Sequence, residues 1–182
     1  LSLESVVPVA DDLSPATDST MLKRAFSCFP SGVVAVCCRV PDGDGAPELA
    51  GMAASAFTTV SLDPPLVSLC VQNTSTTWPR LRSAPSIGVS VFASDQSELC
   101  RQLAGPADGR FAGITPLATD DGAVLIPDTA ATLSCSLFHE IPAGDHTVVL
   151  LRIEALHCDP GVEPLVFHAS TFRALEARRD AS

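Results

Sequence analysis

Short apolar runs alternate with turn-forming residues along most of this chain. The most continuous are Val33–Val40, Leu66–Val71 and Ser86–Phe92. Each has the length of a strand and is too short for a buried helix. Weaker runs predict further strands at Leu49, near 123–126, 131–139 and 147–156, and over Leu165-Val166-Phe167-His168. Helical spacing is rare. Leu22, Phe26 and Phe29 share a face over Met21–Phe29, which Ser19 or Thr20 caps and Pro30-Ser31-Gly32 ends. Ser94-Asp95-Gln96-Ser97-Glu98 opens a second helix running to Leu103. Asn73–Thr77 opens a short third one, with Pro79 in its first turn. Gly105–Thr119 reads as a loop around Arg110-Phe111-Ala112-Gly113.

The stretch from Gly51 to Leu66 differs from the other strands. Met52-Ala53-Ala54-Ser55-Ala56 is built of small residues, a second short strand follows, and Asp63-Pro64-Pro65 turns the chain into the next apolar run. Small side chains leave a strand's backbone uncovered, which lets a flat ligand approach its N–H and C=O groups. Many strands, few helices and frequent turns predict a mainly β barrel with a few short helices. A doubly wound fold would need regular helices between the strands. Residues 1–20 lack periodicity and read as an N-terminal extension, 21–176 as one domain, and 177–182 as a polar tail.

With 182 residues and 46% hydrophobic content, the chain can bury a core without metals or disulfides. Its net charge of -10 repels phosphate backbones and anionic lipid, so neither nucleic acid nor a membrane surface is expected as a partner. No apolar run approaches a membrane span and no signal-like start is visible, so the expected location is cytoplasmic. The seven cysteines form no Cys-x-x-Cys and lie mostly inside apolar runs, as reduced, buried thiols do. Cys37 and Cys38, being adjacent on a strand, must face opposite ways. Pro41-Asp42-Gly43-Asp44-Gly45 reads as a turn, since the downstream ligands of a calcium loop are missing. No metal site is expected.

Phosphate-loop, dinucleotide-fold, nucleophile-elbow and zinc-protease motifs are absent, and there are only four histidines, at 139, 146, 157 and 168. Two segments could carry chemistry. The hydroxyl cluster Thr74, Ser75, Thr76 and Thr77 at a helix start suits a phosphate cradle, to which Arg80 or Arg82 could add charge, and equally suits ordinary N-capping. Gly144-Asp145-His146-Thr147 is either a plain turn or places a histidine beside a ligand cleft.

Gly51–Leu66, Ser75–Trp78 and Gly144–Thr147, taken together and in this order, resemble the flavin reductase-like family with the FMN-binding split barrel, the small reductase components of two-component flavin monooxygenases. The resemblance runs from about Met21 to about Leu175. It implies a Greek-key split β-barrel, a homodimer, FMN or FAD as cofactor, NADH or NADPH as co-substrate, and a partner monooxygenase that receives reduced flavin. Residue by residue it implies that Met52, Ala53, Ala54, Ser55 and Ala56 line the isoalloxazine. Ser61, Cys70, Val71 and Gln72 would flank the ring and ribityl chain, and Ser75, Thr76 and Thr77 would bind the phosphate. Asp145 and His146 would border the nicotinamide, with His146 the catalytic candidate. Phe111 would lie in a loop that closes over the flavin, and His168 near the cleft. Ala53 stands where the family often has Thr, Leu151 where it usually has Gly, and Ala169-Ser170-Thr171 replaces a frequent Arg-Gly-Arg. A self-contained flavoenzyme, a non-catalytic flavin binder and a cofactor-free structural barrel remain the alternatives at this point.

Overall fold

The computed structural model describes residue 13 and residues 15–40 and 48–176. Most of the N-terminal extension, the Pro41–Gly45 turn and the polar tail lie outside them. The chain runs α1 (Ser19–Ser27), β1 (Ser31–Gly32), β2 (Val34–Val40), β3 (Glu48–Ala54), β4 (Phe57–Leu62), β5 (Pro65–Gln72), α2 (Trp78–Leu81), β6 (Ile87–Val91) and α3 (Ser97–Ala104). A 3-10 turn at Ala107–Gly109 leads to β7 (Leu117–Ala118), β8 (Val124–Leu125), β9 (Ala131–Ala143), β10 (His146–Cys158), β11 (Val166–His168) and β12 (Thr171–Arg173).

Seven strands form one antiparallel sheet in the order β3-β2-β6-β9-β10-β5-β4. It curls on itself. Val34 and Val36 of β2, Ala50 of β3, Leu69 of β5, Val89 of β6, Cys135 of β9 and Val149 of β10 all enter a single buried core. This is the expected barrel, with α2 plugging it through Trp78 and Leu81. On the outer face of β2, Val33, Ala35 and Cys37 pack with Phe92, Leu103 of α3, Val124 and Leu165 in a second cluster. β2 is therefore buried on both faces, which explains its nearly unbroken apolar run, and Cys37 and Cys38 do point opposite ways.

Several expectations need correction. Asp18, not Ser19 or Thr20, caps α1, its carboxylate accepting from the Thr20 N–H at 2.8 Å. That helix ends at Ser27, and the Leu22/Phe26/Phe29 face covers no core: Phe26 and Phe29 are 71% and 78% exposed. α3 starts at Ser97 rather than Ser94, because the Gln96 side chain is held between the Ala93 N–H and the Pro127 carbonyl. β1 and β7 fall in segments that read as turn and loop, and β12 in a stretch for which no element was expected. They are two or three residues long, below the length at which alternation is visible. β9 and β10 run four residues and two residues past the expected ends, forming a hairpin of two 13-residue strands.

Trp78 Nε1 donates to Glu140 Oε1 of β9 at 2.7 Å, and Arg82 pairs with the same carboxylate at 3.0 Å. This fixes α2, and with it the preceding hydroxyl loop, against the barrel. A charge-assisted bond of this kind contributes about 1.5–3 kcal/mol.

Gly88 sits where β8 crosses β6. A Cβ there would come within 2.0 Å of the Val124 carbonyl oxygen. Backbone cannot swing aside as a flexible side chain can, so Gly88→Ala is expected to cost at least about 1–3 kcal/mol. Urea unfolding followed by the fluorescence of Trp78, the sole tryptophan, measures it; an unchanged midpoint would mean that the two strands separate freely.

Candidate active site

β3 is the end strand of the curled sheet, and among the described residues no strand pairs with its outer edge. That edge borders a cleft of about 510 Å³. Met52, Ala53, Ala54, Ser55 and Ala56 form one wall, and Cys70, Val71 and Gln72 at the end of β5 form the facing one. An unpaired edge presents alternating N–H and C=O groups, and side chains no larger than serine from 53 to 56 keep them within reach of a flat ring. The two walls are tied together where the Cys70 N–H donates to the Ala56 carbonyl at 3.1 Å.

Thr74, Ser75, Thr76 and Thr77 close one end of the cleft. Their geometry changes the sequence reading. α2 is a single turn, too short for its dipole to dominate, and Ser75 Oγ already accepts from the Trp78 N–H at 3.1 Å. Arg80 is engaged by Glu48 at 2.6 Å and Arg82 by Glu140, so neither is the free cation that the sequence suggested. The charge comes instead from Arg110. Its Nε donates to the Gly105 carbonyl at 2.8 Å, and one terminal nitrogen donates to the Gly51 carbonyl at 2.6 Å and to Thr77 Oγ1 at 2.8 Å. A guanidinium fixed beside three hydroxyls is a donor set matched to a phosphate.

His146 closes the other end. It stands at the tip of the β9–β10 hairpin, opposite Gln72 of β5. The tip is a two-residue turn, Gly144-Asp145, in which Gly144 takes a φ of 68° that favours glycine. Asn73 holds this turn in place. Its Nδ2 donates to the Gly144 carbonyl at 3.1 Å, its Oδ1 accepts from Thr147 Oγ1 at 3.0 Å, and its N–H donates to the Asp145 carbonyl at 3.0 Å. His146 Nδ1 lies 2.8 Å from Asp145 Oδ1. That hydrogen bond, and the charge of the ring, hold the Asp145 carboxyl below the usual carboxylate range. An ionised carboxylate only accepts, so Nδ1 is the donor of this pair, and Nε2 is the ring atom left for a ligand.

The structure thus gathers twelve of the expected residues, Met52, Ala53, Ala54, Ser55, Ala56, Cys70, Val71, Gln72, Ser75, Thr76, Thr77 and His146, around one cleft. It does not bring the other four to the cleft lining. Ser61 lies on β4 opposite Leu66, at the far end of β5 from Cys70. Asp145 reaches the site only through His146. Phe111 packs against Gly51, where a Cβ would meet its ring at 2.6 Å, and lines a neighbouring cavity. His168 sits on β11 opposite Thr171, in the small β1-β11-β12 sheet. Arg110 and Asn73, which border or hold the cleft, were missed as site residues. An arginine in a glycine- and alanine-rich loop, and an asparagine heading a hydroxyl cluster, were the signals available.

Residues 26–176 match the family model described as the flavin reductase like domain. The chain belongs to the flavin reductase-like family. A flavin reductase from Pseudomonas putida is 30% identical over 168 residues, covering 92% of this chain and 96% of that one. The NADH:FAD oxidoreductase SgcE6 of Streptomyces globisporus, solved in complex with NAD and FAD fragments, superposes with a TM-score of 0.83 at 32% identity, over 92% of this chain and 99% of that one. BorF, the flavin reductase component of a bacterial two-component tryptophan halogenase, superposes with a TM-score of 0.75 at 32% identity, over 88% and 100% of the two chains. The fold is accordingly the split barrel of this family, as the resemblance implied.

Among members of such a family, a cysteine at the cleft is a useful probe. Burial pushes the Cys37 and Cys135 thiols up to about 12, and Cys38 and Cys100 up to about 11, so all four stay protonated and covered. Cys28, Cys70 and Cys158 are exposed, which corrects the expectation for Cys70. A thiol reagent at neutral pH is expected to modify these three in the native protein and all seven after denaturation. Saturating FMN or FAD is expected to protect Cys70 alone. Equal labelling of Cys70 with and without flavin, read by peptide mass spectrometry, would place the ring elsewhere.

Proposed function

We propose that this chain catalyses hydride transfer from NADH or NADPH to FMN or FAD held in the cleft, and supplies reduced flavin to a partner flavin-dependent monooxygenase or halogenase. One observation carries the reading: the open edge of β3 is flanked by a hydroxyl–arginine cradle at one end and by a tethered histidine at the other, in a chain of this family. The donor set fits a flavin. Small side chains accommodate its flat ring, ladder groups meet its polar edge, and Thr76, Thr77 and Arg110 meet its phosphate.

The flavin, when bound, supplies the redox chemistry. The protein's part is placement. The edge of β3 and the Cys70–Gln72 wall fix the ring plane, and holding two rings in contact replaces much of the cost of an encounter in solution. Backbone N–H groups along residues 53–56 offset negative charge at the ring edge. His146, with Nδ1 committed to Asp145, offers Nε2 to the carboxamide of a nicotinamide and so orients it. Asn73 positions His146 by holding the turn on which it stands.

The names of the relatives support each component: reduction of flavin, NADH as donor, and a second enzyme component downstream. Homodimer formation rests on exposed apolar side chains, Val60 and Leu62 on β4, Phe138 and Ile141 on β9 and Leu156 on β10, all in one half of the sheet. Sedimentation as a monomer at micromolar concentration would contradict it. We assign the protein to the cytoplasm because its seven unpaired cysteines suit a reducing compartment.

The direct test is anaerobic. Loss of flavin absorbance with flavin in large excess over protein is the expected result. No loss with any nucleotide–flavin pair, despite flavin binding, would leave only a flavin-binding protein. His146→Ala is expected to lower kcat/KM for NADH roughly ten- to a hundredfold while leaving flavin affinity unchanged; weakened flavin binding with normal NADH use would remove its assigned role.

A further inference from the structure

The loop from Gly105 to Gly113 supplies Arg110, yet its only regular element is the 3-10 turn at Ala107–Gly109. We propose that Gln102 of α3 sets this loop, and through it aims the Arg110 guanidinium at a flavin phosphate. This rests on the flavin reading of the cleft. Gln102 itself touches no part of the ligand and is a positioning residue.

Gln102 stands on a firmly seated turn of α3. Its neighbours Cys100 and Leu103 are buried in the cluster on the outer face of β2, and Gln102 is itself half-buried. Its side-chain Nε2 donates to the Gly109 carbonyl at 3.1 Å, to the Arg110 carbonyl at 3.1 Å and to the Ala112 carbonyl at 2.8 Å. Three acceptors share two hydrogens, so one hydrogen is bifurcated. The amide orientation is fixed by this set, since Oε1 in the same place would face three acceptors and no donor. The loop's own backbone bonds are longer. Those from the Gly109 and Arg110 N–H groups measure 3.3 Å, and those from Ala112 and Ile114 3.2 Å. Without the Gln102 amide, three carbonyl oxygens would repel one another across a point that nothing else fills with a donor.

The three carbonyls bracket Arg110: one precedes it, one is its own, and one lies two residues on. The consequence falls on the guanidinium. Its Nε is committed to the Gly105 carbonyl, and one terminal nitrogen to the Gly51 carbonyl and Thr77 Oγ1. The other terminal nitrogen bonds to none of the described residues and is the one left for a phosphate oxygen. A planar fork recognises a phosphate only when it is held in one orientation. The tip of this side chain is held by Gly51 and Thr77, and its backbone by Gln102. Loss of the second constraint leaves the fork free to leave the hydroxyls, while the wall formed by residues 52–56 is untouched. The effect is therefore confined to ligands that carry a phosphate. Riboflavin has the ring and ribityl chain of FMN without the phosphate, and so separates this role from general support of the site.

Calorimetric titration of the full chain with FMN and with riboflavin tests this. Gln102→Met keeps a long, unbranched side chain and removes the donor. It is expected to weaken FMN about tenfold while leaving riboflavin within about twofold. Retained riboflavin binding certifies the fold, and Gln102→Leu is the substitute if the first variant does not fold. Arg110→Met is expected to weaken FMN at least as much. Adding Gln102→Met to Arg110→Met is expected to cause no further loss, because the two residues act on one contact. Unchanged FMN affinity in Gln102→Met, equal weakening of both flavins, or losses that multiply in the double variant would each overturn the assignment of Gln102. A wild type that binds both flavins equally, or an Arg110→Met variant that keeps the preference for FMN, would overturn the phosphate reading of that end of the cleft. Failure of the wild type to bind either flavin would overturn the cleft reading itself.

Discussion

A curled sheet has two end strands, and here, among the described residues, no strand pairs with the outer edge of the first of them, β3. Most of what the site can do follows from that vacancy. Edge strands invite aggregation unless something covers or interrupts them. β3 is interrupted at Gly51, whose carbonyl Arg110 takes and across which Phe111 lies, and residues 52–56 beyond it border the cleft. The small residues serve two purposes. They give a flat molecule access to the main chain, and they prevent β3 from offering an apolar strip to another sheet.

Arg110 and Asn73 convert this edge into a site with defined ends. Each side chain bonds both to backbone and to a threonine hydroxyl, and each connects segments far apart in sequence. Arg110 joins β3, the hydroxyl loop and the 105–110 turn; Asn73 joins that same loop to the hairpin tip. The hydroxyl–arginine end and the histidine end are therefore held by one short loop, residues 73–77. That loop is in turn fixed to the barrel through Trp78 and Glu140. Rigidity here comes from polar side chains, not from apolar burial, since the loop has little apolar surface to bury.

Much of this was legible in the residues. The strand runs gave the barrel, because alternation and length survive whatever tertiary packing does. The small-residue strand, the hydroxyl cluster and the Gly-Asp-His turn marked both ends of the cleft, because those residue types are needed locally. What could not be read were bonds between remote positions. Arg80 and Arg82 stood nearer in sequence to the hydroxyls than Arg110, yet both are occupied by carboxylates from other strands. Ser61 matched a family position but lies about 13 Å up the strand pair from Cys70, four residues at ~3.3 Å each. The α1 face showed the opposite error: correct periodicity, with no core for it to cover.

The β9–β10 hairpin restricts how this protein can diverge. His146 stands at the end of a long antiparallel ladder that contains two register irregularities, near Leu150 and near Glu154. Side chains alternate between faces at every step, so gaining or losing one residue between the nearer irregularity and the tip would turn the imidazole to the opposite face. Only insertions of two residues in each strand lengthen the arm without inverting it. The arm can thus grow or shrink only by pairs of rungs, each pair changing how far the histidine overhangs the cleft.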